Sequence, residues 1–143
     1  MASTLYSSDC TDGNGVQPRA GLNLCTVSAT YALAAALELD DLIHMVKIPA
    51  GATLLDVILD VPDLDSDGSP AITLSVGYTG ALEAFISQST VGQAGGIVRL
   101  SVPGGSQKLF AAEDTLQISA TAAPATGATE GTIKLTAIYT MDP

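Results

Sequence analysis

The chain has 143 residues, a length that fits one domain and lets it bury roughly 68–70% of its unfolded surface without metals or staples. Hydrophobic residues make up 47%, aromatics only 4% and Trp is absent. The core must therefore be Leu, Ile, Val and Ala, with Ser, Thr, Gly and Gln filling a surface where charged residues (14%) fall short of the usual ~25%. The net charge is −10, and the basic residues Arg19, Lys47, Arg99, Lys108 and Lys134 are scattered. That distribution disfavours nucleic acid, which needs a basic stripe to displace counterions, and anionic membranes.

The opening MASTLYSSDC has neither a basic n-region nor an apolar h-region. No apolar run approaches the ~20 residues of a membrane span. The expectation is synthesis in the cytosol of the producing cell, without a secretory signal. Residues 1–25 are rich in Ser, Asp, Gly and Asn and lack periodicity, which predicts an extended N-terminal arm, either a frayed end or a strap that grips a partner. Cys10 and Cys25 both fall in it. They read as two thiols, or as a loop-closing disulfide if the product meets an oxidising medium. There is no CxxC pair, and a single His disfavours most zinc sites.

From Thr26 onward apolar residues alternate: Val27, Ala29, Tyr31, Leu33, Ala35, Leu37 and Leu39 share one parity. The Ala-rich section 32–37 is compatible with helix, but a period of two held this long predicts a strand. Asp40-Asp41 makes a turn, Leu42–Ile48 a second strand and Pro49-Ala50-Gly51 another turn. In the next strand Leu55, Val57, Leu59 and Val61 share the parity expected to face the core, while Leu54, Asp56, Ile58 and Asp60 share the other. The rhythm returns at 72–76, 98–102, 116–120 and 133–139, with Gly, Pro, Asp and Ser clusters between. Gly80–Ser87 reads as a short helical turn. The prediction is all-β: an antiparallel, jelly-roll-like sandwich of about eight strands over residues 26–143, preceded by the arm.

The motifs that could carry chemistry are thin. Asp63-Leu64-Asp65-Ser66-Asp67-Gly68 spells the first half of a calcium loop, but Leu74 stands where a bidentate Glu belongs and the flanks are strands. A polar inter-strand turn is the preferred reading and a weak Ca²⁺ site the other. The glycine-rich stretch at 91–96 runs into a strand without the Lys-Ser/Thr of a phosphate loop. His44 has no GxSxG elbow to serve. Asp56 and Asp60 sit on a solvent parity that would leave their acidity ordinary. The loops at 103–106 and 124–129 are small-residue tips of the kind that can touch a partner. No catalytic, cofactor or metal residues are assigned, and the chain does not read as an enzyme.

The ordered set YALAAALELDDLIHMVKIPAGATLLDVILDVPDLD, ITLSVGYTGALEAFIS, GQAGGIVRL and DTLQISATAAPATGATEGTIKLTAIYT resembles the small jelly-roll cement (decoration) proteins of tailed phages, over roughly residues 26–140. The resemblance implies a structural virion protein that binds the outer surface of the expanded head, clamps neighbouring major capsid subunits and acts as a homo-oligomer, a dimer or trimer. Expected partner-interface residues are Tyr6 and Arg19 in the arm and the apolar Ile43, Met45, Leu54 and Ile58 on the outward parity. The alternative is a carbohydrate- or receptor-binding sandwich module of a phage fibre or tail. Its usual aromatic platforms would have to come from Tyr6, Tyr31, Tyr78, Tyr139, Phe85 and Phe110.

Overall fold

The computed structural model describes residues 3–6 and 24–141. They form ten strands: β1 (Thr4–Tyr6), β2 (Leu24–Ala32), β3 (Leu42–Ile48), β4 (Ala52–Val61), β5 (Thr73–Tyr78), β6 (Ala81–Ser89), β7 (Gly96–Arg99), β8 (Lys108–Leu109), β9 (Asp114–Ala122) and β10 (Thr132–Met141). One sheet has the order β1-β3-β9-β5-β6, the other β2-β10-β4-β7, with β8 also pairing β4. All pairings are antiparallel except β1 with β3, which is parallel. The architecture is the all-β, jelly-roll-like sandwich that the alternation predicts.

Alternation is the cause of the layering. Along β2, Cys25, Val27 and Ala29 are buried while Leu24, Thr26, Ser28 and Thr30 are exposed. Along β10, Ile133, Leu135, Ala137 and Tyr139 point inward. The second sheet answers with Ile43, Leu74, Val76, Leu116 and Ile118, so the interior is almost wholly aliphatic. Each such side chain contributes about 1.5–3 kcal/mol on burial. Burial also holds the Tyr139 hydroxyl above its ordinary pKa, with the neighbouring Cys25 acting in the same sense.

Two β-bulges decide which residues reach that core. In β3 the pairing to β9 steps from His44↔Gln117 to Val46↔Leu116, leaving Met45 as the extra residue. In β4 the pairing to β10 steps from Asp56↔Ile138 to Leu54↔Tyr139, leaving Leu55 as the extra one. A bulge inverts strand parity on one side of itself. Ala52 and Leu54 therefore join Val57, Leu59 and Val61 inside, and Leu55 is only half-buried. The expectation that Ile43, Met45 and Leu54 face outward is corrected: they are 1%, 0% and 0% exposed.

Three other expectations change. The first long strand stops at Ala32, because its partner β10 begins opposite it at Thr132 and residues 33–39 have no ladder to join. Leu33 and Leu37 are buried there all the same. Gly80–Ser87 is not a helical turn: Ala81–Ser89 is strand β6, paired along the β5 edge. The helical turn among the described residues is a 3-10 turn at Val91–Gln93, within the glycine-rich stretch.

Two devices close the sides. Residues 4–6 of the expected arm form β1. It is fastened by the Asp41 carboxylate, which accepts the N–H groups of Ser3 and Glu38 at 2.9 Å each, and by the Leu42 N–H donating to the Ser3 carbonyl at 3.0 Å. On the opposite side the Ser101 and Val102 N–H groups donate to the Phe85 carbonyl at 3.0 and 3.2 Å. That links the edge strand β6 of one sheet to the chain leaving β7 in the other.

Candidate functional site

The surfaces left by this fold are the candidates for function. The outer face of the β2-β10-β4-β7 sheet is fixed by its register. Thr30, Lys134, Asp60 and Ile97 form one cross-strand row, and Ser28, Thr136, Ile58 and Arg99 the next. The face is mostly hydroxyls. Ser28 Oγ and Thr136 Oγ1 lie 3.0 Å apart, and the Arg99 guanidinium pairs with the Asp56 carboxylate, Nε donating at 2.9 Å. Among these small polar groups stand the half-buried Ile58 and Ile138 and the exposed Ile97 (65%) and, on β8, Leu109 (54%). Ile58 is thus the one apolar residue of the expected interface set whose side chain reaches a surface. The backbone of Tyr6 pairs with His44 in β1–β3, and Arg19 lies outside the described residues, as does Cys10.

The outer face of the other sheet is less open than its polar sequence implies. Ser75, Gln117 and Ser119 point outward by parity, yet they are 0%, 3% and 4% exposed. The cause is β6. A Cβ placed on Gly77 would meet the Ala81 carbonyl oxygen at 2.0 Å and the Leu82 backbone at 2.5 Å. Only glycine lets the start of β6 cross so close over β5. Glu83 is carried with it, accepting from Ser75 Oγ at 3.4 Å and Gln88 Nε2 at 3.3 Å. A groove of about 370 Å³ remains beside this flap, lined by Asp40, Leu42, Leu82, Glu83, Ser119 and Thr121. Nothing in the alternation of β9 marks Ser119 as covered, because what covers it lies more than thirty positions away in the chain.

The DxDxDG segment is a turn whose carboxylates serve the backbone. Asp63 accepts the Asp65 N–H at 3.0 Å, and Asp67 that of Ser69 at 3.1 Å. Asp65, 2% exposed, accepts N–H groups from Asp67 (3.2 Å), Ala71 (2.7 Å) and Ile72 (3.0 Å). The Ala71 bond foremost, against the opposing effect of burial and with help from Ile72 and Asp67, holds the Asp65 carboxyl below its ordinary pKa. The segment is also tied to the 124–129 loop, with Ser66 N–H to Thr126 O at 3.0 Å and Ala128 N–H to Leu64 O at 3.1 Å. Among the described residues no three His, Cys, Asp or Glu side chains converge as a metal would require.

His44 sits on the outer parity of β3 between Tyr6 and Gln117, and partial burial lowers its pKa. Of the rings available for a sugar platform, Phe85, Phe110 and Tyr139 are core residues at 0%, 3% and 1% exposure. Tyr78 is half-buried against Phe85 and Phe110, at ring separations of 5.8 and 5.5 Å. Tyr31 is half-buried too, and burial, with the Asp41 charge second, raises its pKa.

No family model and no curated protein matches the chain by sequence. Solved structures do. The chain is similar to a chain of the capsid of Ralstonia phage GP4, with 28% identity over 99% of both chains and a TM-score of 0.81. It also shares its fold with a chain of the cyanophage Pam1 capsid asymmetric unit, with 24% identity, coverage of 94% of this chain and 98% of that one, and a TM-score of 0.76.

Proposed function

We propose that the protein is a structural component of a tailed-phage virion, which sits on the outer surface of the head and clamps neighbouring major capsid subunits. The observation that carries this reading is the end-to-end likeness to a chain of the Ralstonia phage GP4 capsid. The surface chemistry supports it: small hydroxyls, a few isolated aliphatic groups, and polar side chains turned to structural hydrogen bonds. The inward packing of Phe85, Phe110 and Tyr139 weighs against the sugar-binding alternative.

The capsid-facing surface in this proposal is the outer face of the β2-β10-β4-β7 sheet, centred on Ile58, Ile138 and Ile97. The part of the expected N-terminal arm that lies outside β1 and β2 adds a grip on the capsid or on a sister copy within a homo-oligomer. A stable contact of this kind buries on the order of 1,200–2,000 Å². A protein that binds only the expanded lattice stabilises it by mass action, by about 2.7 kcal/mol per site at a hundredfold excess over Kd.

The test is to add the purified protein to immature and to expanded heads and follow binding and the temperature of rupture. Selective binding to expanded heads with a raised rupture temperature is expected. Equal binding to both, or to neither, overturns the proposal.

A further inference from the structure

We propose that the groove between β3 and the β6 flap is a receptor for an arginine side chain presented by a partner protein. The inference goes beyond the docking role proposed above: the groove lies on the outer face of the β1-β3-β9-β5-β6 sheet, opposite the face assigned to the capsid, and its chemistry does not rest on that reading.

Three observations point the same way. The first is an unmet hydrogen bond. Ser119 is 4% exposed and lines the groove, and its hydroxyl has no partner. A buried hydroxyl left unsatisfied is costly, and each such group in a folded protein asks for an explanation. The other outward residues of the same face are engaged. Ser75 bonds Glu83 and the Gln88 N–H, Gln117 Nε2 donates to Thr79 Oγ1 at 3.1 Å, and Thr73 and Thr121 bond each other at 2.7 Å. Ser119 alone of these waits for a partner.

The second is the shape of the lining. The register sets Ser119 of β9 beside Leu42 of β3 on one side and Ser75 of β5 on the other, with Leu82 carried over from β6. Leu42 and Leu82 are both half-buried and supply apolar surface suited to a methylene stem. The third is charge. Asp40 and Glu83 are exposed at the rim, and the lining holds no basic residue. Asp40 is held there by a turn with φ of +66°.

A side chain with an aliphatic stem and a flat cationic head satisfies all three features. Its stem lies on Leu42 and Leu82, its N–H groups reach the Asp40 and Glu83 carboxylates, and one of them gives the Ser119 hydroxyl its missing donor. Arginine fits better than lysine because its planar head presents several donors at fixed angles. The net charge of −10 draws such a cation in.

The experiment is a ¹⁵N NMR titration of the whole protein with N-acetyl-argininamide, alongside N-acetyl-leucinamide as an uncharged probe of similar apolar bulk. Saturable shifts confined to the amides around 40–42, 82–83 and 119–121, at least fivefold weaker for the leucine probe, are expected. The Asp40→Asn/Glu83→Gln double variant should abolish them. Ser119→Ala should raise the melting temperature, because the unmet hydroxyl is gone, while weakening argininamide binding at least threefold. Scattered or non-saturating shifts, equal binding of the two probes, or unchanged binding by the double variant overturn the inference. Heads are not used, so a failure here leaves the capsid reading standing, and a failure with heads leaves this one standing.

Discussion

Replacing Gly77 by Ala tests the feature on which one face of the molecule depends. An added Cβ would lie 2.0 Å from the Ala81 carbonyl oxygen, 2.5 Å from Leu82 C and 2.7 Å from Leu82 Cα. Ordinary contact begins near 3.4 Å, so β6 must retreat by more than an ångström, and the obstacle is backbone rather than a flexible side-chain tip. Overpacking of this kind costs about 1–3 kcal/mol and sometimes more. The upper end applies here, because moving β6 also disturbs the Glu83 bonds to Ser75 and Gln88. For a chain of this size 3 kcal/mol corresponds to a fall of about 6–12 °C in melting temperature. Gly68→Ala is the control, since nothing lies within 4 Å of its Cβ. It should be neutral or stabilising by up to ~1 kcal/mol. The assay is urea unfolding followed by circular dichroism, with m compared across variants. If Gly77→Ala lies within 0.5 kcal/mol of the parent, the crossing of β6 over β5 is wrong, and the groove walled by Leu82 goes with it.

Other expectations follow from single residues. Leu54→Ala should cost about 2–5 kcal/mol because Leu54 is 0% exposed, whereas Ile58→Ala on the surface parity should cost less than about 1.5 kcal/mol; similar losses for both would refute the bulge at Leu55. Arg99→Ala should cost no more than about 1 kcal/mol, since the arginine is 65% exposed at its pairing with Asp56, and that difference should vanish in about 1 M salt. Acid should weaken the fold in two windows, read from urea midpoints measured from neutral pH downward. His44 has its pKa lowered from 6.5, so the unfolded chain takes the proton first and stability falls as pH drops below 6.5; His44→Gln should remove that slope. Asp65 has its pKa lowered from 3.8, so its stabilisation is present above 3.8 and is lost as pH falls through the folded value; Asp65→Asn should flatten that window.

The β-class of the fold was legible wherever a strand stayed regular. β2 and β10 pair from Ala32↔Thr132 to Leu24↔Thr140 without a register shift, and their parity predicts their burial residue by residue. Legibility failed where register shifts. Leu54 and Leu55 are chemically identical neighbours in a run of alternating aliphatics, and only the pairing with Tyr139 decides which one turns inward. Met45 is illegible for the same reason, opposite β9. GALEAFIS reads as helix because its spacing suits one locally, whereas the β5 edge offers it hydrogen bonds, and the tertiary ladder overrides the local preference. The groove is invisible from sequence: Asp40, Leu82 and Ser119 are separated by long stretches of chain, and the close backbone approach at Gly77 is set by the β5–β6 pairing. The turn at 63–68 is legible in kind, yet no spacing rule says that Asp65 collects N–H groups from Ala71 and Ile72.

In the role proposed above, the way such a surface would hold a shell is set by what its described residues lack. Strong single interfaces concentrate their energy in a few buried aromatic or arginine anchors. This chain has no Trp, keeps Phe85, Phe110 and Tyr139 in its own core, and engages Arg99 with its own Asp56. On the outer face of the β2-β10-β4-β7 sheet the aliphatic groups Ile58, Ile138, Ile97, Leu109 and Leu24 stand among hydroxyls and charged side chains. At about 25 cal/mol per Å² of apolar area, a few side chains of this size supply only a few kcal/mol, and association itself absorbs several. A lone contact of that strength is transient. Joined through homo-oligomers so that several are made at once, the same contacts gain two to four orders of magnitude from effective concentration alone. The affinity of such a clamp therefore belongs to the lattice that presents its sites at the right spacing, which is the physical reason it would distinguish an expanded shell from an immature one.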